Sequence, residues 1–226
     1  MVTVVVTTYN PTPDAPRFKY ATRCIEAFDE YLTPRPINIH LTDDGSPDTQ
    51  PLMRMVATHR ISVTTGNHNG IGASLNRALK HVGSEPWMYT TDDWLLTESL
   101  DLELPLWLLG PEVGYDLVRL GPIHPNLDCR TKFTAGHGWW LDVDSRYGFA
   151  FATRPFLASP SLVQKIGPFD EGMNAYDTER QYSNRCAGNI LVAAINLAGP
   201  WEHIGEFEVG DRDVAAAAFP DGKGAS

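Results

Sequence analysis

Two adjacent carboxylates, Asp92 and Asp93, close the β-prone run WMYTT and are followed directly by Trp-Leu-Leu. A single Asp at a strand's end caps the next helix. Two neighbouring carboxylates repel one another unless a cation or strong donors stand between them. Hard oxygen ligands of this kind suit Mg²⁺ or Mn²⁺, which share them with substrate phosphates. Spacing alone leaves both roles open. A second acidic stretch, LTDDGSPD, contains Asp43, Asp44, Gly45 and Ser46. It reads either as a plain turn or as a carboxylate that accepts hydrogen bonds from a nucleobase or ribose.

Three further segments carry chemistry-bearing residues. NHNGIG precedes a helix N-terminus, where backbone N–H groups can receive phosphate, although it is neither a Walker nor a dinucleotide fingerprint. FDEGMNAYDTERQYSNR holds Asp170, Glu171, Asp177 and Glu179. These form a solvated helix face, or one of them is a base that activates a hydroxyl in a cleft. His203, in PWEHIGE, is a lone His, a type more often structural than metal-bound.

The elements that must position these residues follow from periodicity. Val2 to Thr8 is a β-branched run typical of a strand buried on both faces. Apolar residues at Phe18, Ala21, Ile25, Phe28 and Leu32 then recur at helical spacing. INIHL predicts a second strand, Leu52 to Val56 a short helix and ISV a third strand. Ile71, Leu75, Ala78, Leu79 and Val82 predict an amphipathic helix closed by Gly83, and WMYTT a fourth strand. This β-α-β-α-β-α-β order predicts a mostly parallel sheet flanked by helices, with ligands outside the carboxyl ends of its strands. Thr7-Thr8-Tyr9-Asn10, Asp43-Asp44-Gly45-Ser46 and Thr91-Asp92-Asp93 all fall at such ends.

The second half is less regular. YDLVRL, FAFAT and ILVAAINL read as strands, and Tyr176 to Ala187 as a polar helix. SPSLVQKIG reads as a helix with Ser159 as N-cap, Pro160 at its first position and Gly167 at its end. Residues 121–148 show no clear period, and the stretch from about Asp211 ends in Ala, Gly, Lys and Ser.

Composition sets bounds. The 226 residues suit one α/β domain, and a net charge of −10 argues against broad nucleic-acid or anionic-membrane binding. Three scattered cysteines, Cys24, Cys129 and Cys186, predict reduced thiols in a cytoplasmic setting. No stretch approaches the roughly 20 apolar residues of a membrane span, so a soluble protein is expected.

Taken in order, VTVVVTTYN, INIHLTDDGSPD, NHNGIGASLNRAL, YTTDDWLL, IGPFDEGMNAYDTERQYSNR and WEHIGE resemble the motifs of the family 2 glycosyltransferases. These are inverting enzymes of the GT-A fold, whose Rossmann-like, mostly parallel sheet carries a smaller antiparallel acceptor-side portion. The resemblance spans roughly residues 2–206 and implies one domain over residues 1–210, with a nucleotide-sugar half (1–95), an acceptor half (96–210) and a tail (211–226).

The resemblance further implies that Thr7, Thr8, Tyr9, Asp44, Asn69, Gly70, Asn76 and Asp92 bind the nucleotide sugar. Asp93, with Asp92 and His203, would hold Mn²⁺ or Mg²⁺. Glu179 would be the base, with Asp177 the fallback. Thr90 and Thr178 depart from the family's acidic pattern. The implied reaction is metal-dependent displacement at the anomeric carbon of a nucleoside-diphosphate sugar by an acceptor hydroxyl, on a glycan, small molecule, protein or modified nucleic acid. Trp139, Trp140 and Trp201 are candidates for stacking on sugars or for plain packing. A non-catalytic nucleotide-sugar or glycan-binding module of the same fold is the competing reading. A sugar nucleotidyltransferase is set aside, because VTTYNPTPDAPR lacks a Gly-rich, basic loop. Donor base, sugar, acceptor and oligomeric state stay open.

Overall fold

A computed structural model describes residues 2–122, 128–146, 151–195 and 199–205. The first half runs β1 (Val2–Thr8), α1 (Arg17–Tyr31), β2 (Leu32–Thr33), β3 (Ile37–Asp43), α2 (Gln50–His59), β4 (Ser62–Thr65), α3 (Gly70–Val82) and β5 (Trp87–Thr91). After it come β6 (Trp94–Leu96), β7 (Leu100–Asp101), α4 (Glu103–Leu109), β8 (Leu117–Arg119), β9 (Cys129–Thr134) and β10 (Gly138–Val143). The chain closes with β11 (Phe156–Ala158), α5 (Leu162–Ile166), α6 (Ala175–Cys186), β12 (Val192–Ala194) and β13 (Trp201–His203).

The main sheet has the order β4-β3-β1-β5-β11-β8-β12-β10-β9. Its first four strands are parallel, β11 is antiparallel to both neighbours, and the β9–β10 hairpin forms the far edge. This is the expected architecture: a parallel half with an antiparallel extension.

The sheet separates two apolar layers. Val4 and Val6 of β1 face Phe28, Leu41, Met88 and Trp201, whereas Val5 faces Leu75, Tyr89, Phe156 and Tyr182. Burial on both sides explains why β1 reads as an unbroken apolar run. Helix α1 turns Phe18, Ala21, Cys24, Ile25 and Phe28 inward, as its spacing predicts, while Leu32 begins β2 instead.

Several expectations need correcting. Residues 151–153 of FAFAT form no strand, and residues 149–150 lie outside the described residues. Phe151 instead fills the second layer against Phe156, Phe169 and Tyr182, and the strand falls after Pro155, at β11. Helix α5 starts after Ser161, not at Pro160, because the Ser159 N–H donates to Asp116 O and extends the strand side. The unpatterned 121–148 stretch holds the β9–β10 hairpin, while residues 123–127 and 147–148, like the tail 211–226, lie outside the described residues. All three thiols are free. No helix among the described residues is long and apolar enough to cross a membrane.

Candidate active site

Strand register brings the acidic segments together. Thr7 on β1 pairs with Thr91 on β5, and Thr8 pairs with Asp43 on β3, so all three chain ends leave the sheet at one edge. The Asp92 N–H then donates to Thr7 O, and the Asp44 N–H to Thr8 O. Thr90 is fully buried and donates to Thr91 O, so it takes no part at the edge.

The carboxylates of Asp92 and Asp93 are both buried, and a guanidinium lies between them. Arg17 Nη1 donates to Asp92 Oδ1 at 2.9 Å and to Asp93 Oδ2 at 2.6 Å. The Thr8 hydroxyl donates to Asp92 Oδ2 at 2.6 Å, and the Thr91 hydroxyl to Asp93 Oδ1. His203 Nε2 approaches Asp93 Oδ2 at 3.5 Å, with its ring against Trp94. Strand β13 is held over this turn by the Ile204 N–H, which donates to Asp93 O.

These environments split the two acids. Burial, opposed by Arg17, pushes Asp92 up to about 7. Burial also works against ionisation of Asp93, but donors from His203, Arg17 and Thr91 outweigh it and hold that carboxyl well below the usual range. Sequence reading missed Arg17, the first basic residue of the chain and the first residue of α1. The available signal was that the β1–α1 loop leaves the same sheet edge as the acids.

The other candidate donor residues divide. Thr7 Oγ1 lies 3.0 Å from the Tyr89 hydroxyl, and Tyr9 stacks on His68 with ring centroids 4.2 Å apart. Asp44 accepts from the N–H groups of Asn69 and Gly70, from Ser74 Oγ and from His68 Nδ1, so it caps α3. Asn69 and Asn76 both donate to Glu171, and Asn76 also bonds both backbone groups of Phe169. They clamp the GPFDEG segment onto α3. Glycine is required at both contacts: a β-carbon on Gly70 would lie 2.2 Å from Met173 O, and one on Gly72 2.0 Å from Asp170 O.

A cavity of about 570 Å³ opens beside this clamp, lined by Thr65, Asn67, Arg77, Lys80 and Glu171 among others. Neither Asp92 nor Asp93 reaches its wall.

The two candidate bases differ sharply. Asp177 closes a reciprocal cap with Asn174 at the start of α6 and pairs with Arg180 at 3.1 Å. Glu179 turns the other way and accepts from Thr153. Thr153 stands three residues before Phe156, which pairs with Tyr89 in antiparallel register, so Glu179 is held at the end of β11 that adjoins the end of β5 carrying Asp92. Thr178 is buried and donates to Asn174 O, a helix-packing role. Of the tryptophans, Trp140 and Trp201 are core, whereas Trp139 is 66% exposed.

Residues 3–100 match the family model described as "Glycosyl transferase family 2". Over that stretch the chain is similar to glycosyltransferase family 2. A curated relative is the N-acetylglucosaminyl-diphospho-decaprenol L-rhamnosyltransferase of Mycobacterium tuberculosis, 29% identical over 107 residues, or 44% of this chain and 32% of the relative. The chain thus spans about a third of the length of that relative. Solved structures of S. aureus TarS 1–349 share the GT-A fold. One has a TM-score of 0.63 at 16% identity, covering 88% of this chain and 59% of TarS 1–349. Another, in complex with UDP-GlcNAc, has a TM-score of 0.61 at 15% identity, covering 96% and 64%.

Among the described residues, no three His, Cys, Asp or Glu side chains are grouped to hold a metal ion. Two carboxylates are nevertheless a sufficient protein share for Mg²⁺ or Mn²⁺, which complete their shell with water and substrate phosphate. Asp92 Oδ1 and Asp93 Oδ2, which both meet Arg17 Nη1, are the oxygens that would hold such an ion.

Proposed function

We propose that this chain transfers a sugar, with inversion, from a nucleoside-diphosphate donor to an acceptor hydroxyl. The observation that carries the reading is the convergence of two acidic groups: the Asp92–Asp93 pair at the carboxyl end of β5, and Glu179 held by Thr153 just before the adjoining end of antiparallel β11. The TarS structures in complex with UDP and with UDP-GlcNAc support a nucleotide-sugar donor.

The residues divide the work as follows. Thr7, Thr8 and Tyr9 line the donor edge, and the Asn69–Gly70 backbone is fixed there by Asp44. Glu179 takes the proton of the acceptor hydroxyl as that oxygen attacks the anomeric carbon. The bond from that carbon to the nucleoside diphosphate breaks on the opposite side, so the configuration inverts. Charge in the transition state is oxocarbenium-like on the sugar. A divalent ion held by Asp92 and Asp93, with His203 nearby, would neutralise charge on the departing diphosphate. The acceptor is a hydroxyl on a glycan, small molecule, protein or modified nucleic acid.

Calorimetry with a panel of nucleoside diphosphates and their sugars, with and without Mn²⁺, tests the reading. One diphosphate should bind, and more tightly with the metal. Binding of none overturns the donor assignment, and binding without transfer to any hydroxyl acceptor favours the non-catalytic module.

A further inference from the structure

Arg17 takes the place that a bridging cation would take. One nitrogen, Nη1, contacts both carboxylates, at 2.9 Å and 2.6 Å. The opposite oxygens of the pair are already taken, Asp92 Oδ2 by the Thr8 hydroxyl and Asp93 Oδ1 by the Thr91 hydroxyl. The two remaining oxygens, Asp92 Oδ1 and Asp93 Oδ2, meet at Arg17, with His203 Nε2 3.5 Å from the second, so an ion contacting both acids there takes the place of the guanidinium. The acid side chains are only 3% and 12% exposed, whereas that of Arg17 is 36% exposed. Arg17 is thus the most exposed of the three side chains, and it stands on the first residue of α1.

The geometry points to Arg17 as the resident cation of the Asp92–Asp93 pair, which a divalent ion must displace to bind. This inference rests on the acidic pair being the cation site of the proposed donor reading. Two ionised carboxylates with one guanidinium carry a net −1, and with a divalent ion instead they carry none. The displaced guanidinium stays tethered beside the donor edge, where a diphosphate supplies a new anionic partner. Metal entry and diphosphate binding therefore favour each other. Without donor, Arg17 suppresses metal binding. It also keeps two buried like charges from facing each other uncompensated, a situation that is strongly destabilising.

Mn²⁺ binding followed by electron paramagnetic resonance, without donor, tests this directly. Arg17→Gln should bind Mn²⁺ at least about tenfold more tightly than the wild type, and Arg17→Lys, which keeps the charge, should stay within a few fold of it. A wild-type experiment needs no variant: in protein labelled with ¹⁵N-arginine, Mg²⁺ should shift the Arg17 side-chain resonances. Equal Mn²⁺ affinity in the wild type and Arg17→Gln, or Arg17 resonances unmoved at saturating Mg²⁺, overturns the role of Arg17 and leaves the pair a metal site. Absence of Mn²⁺ binding in both proteins, with and without nucleoside diphosphate, overturns the metal reading as well.

Discussion

The Glu179 carboxylate accepts two hydrogen bonds from Thr153, from its N–H at 2.9 Å and its hydroxyl at 2.8 Å. Both fall on Oε2, so the side chain is held in one orientation. Asp177, one turn-face away, is engaged with Asn174 and Arg180. The two acids should therefore separate by experiment. Glu179→Gln keeps an oxygen for Thr153 and should leave donor affinity unchanged, while kcat falls about 10²- to 10⁴-fold. Asp177→Ala should leave kcat nearly intact and lower stability by about 1 kcal/mol through loss of the reciprocal cap. The reverse pattern in steady-state kinetics would move the base to Asp177.

Asp44 has a structural consequence that its motif does not announce. Four donors from the segment Asn69–Ser74 and His68 converge on its buried carboxylate. Asp44→Ala leaves the first N–H groups of α3 without their acceptor and should lower unfolding free energy by about 2–4 kcal/mol in urea titration. A residue serving only the ribose would instead weaken nucleotide binding and leave the urea midpoint in place.

Close packing at the acidic turn gives a purely functional lesion. A β-carbon on Gly205 would lie 2.8 Å from Asp93 Oδ2. Gly205→Ala therefore shifts either the carboxylate or the segment over it. Mn²⁺-supported donor binding should weaken about tenfold, or about 1.4 kcal/mol, with the melting temperature nearly unchanged. Calorimetry and a thermal melt on the same sample check both halves.

His40 sets an acid-side limit on stability. Its ring lies between Ser62 Oγ and Thr64 Oγ1 and stacks on His81 at 4.6 Å. Burial, followed by repulsion from His81, lowers its pKa from 6.5 to about 4. Between those values the unfolded chain takes up a proton that the folded chain refuses, so stability is lost as pH falls through this window. The loss is on the order of 2 kcal/mol after allowing for solvent screening. Urea midpoints for His40→Gln should show a flatter slope from pH 6.5 down to 4.

How much of this was legible in the sequence depends on the range of each interaction. Strand β1 was readable because both its faces are apolar, and α3 because one face repeats Ile71, Leu75, Ala78 and Val82. The acidic edge was readable because strand ends in a parallel sheet gather without any knowledge of side-chain partners. Arg17 was not, because it meets Asp92 across 75 positions and nothing local marks the pairing. Strand β9 was hidden for a different reason. As an edge strand it is largely exposed, so CRTKFT carries no alternation to detect. The Asp44 motif was seen, but its four partners were not, because all of them lie more than 20 positions further along the chain.

The hairpin also bears on the acceptor. Register carried across the sheet aligns Tyr89 with Phe156, Arg119, Ala194 and finally Leu141. Trp139, two residues before Leu141, therefore stands level with Thr91 at the edge that carries the acidic pair. It shares a strand face with Leu141 and Val143, which pack in the same apolar layer as Tyr182 of α6, the helix bearing Glu179. Across the hairpin it meets Phe133 at 4.8 Å, and the two rings are 66% and 58% exposed. Four strand spacings separate it from β5, about 19 Å, which is the reach of an extended acceptor and too far for the donor sugar. If the acceptor is a glycan, one of its rings stacks on this aromatic pair. Trp139→Ala should then raise the acceptor KM about 3- to 10-fold, the loss of a contact worth about 0.5–1.5 kcal/mol, without changing donor affinity or the melting temperature. Titrating acceptor oligosaccharides of increasing length makes the test sharper. The penalty should appear only once the chain is long enough to span from Glu179 to the hairpin. A penalty equal at every length would place the acceptor elsewhere.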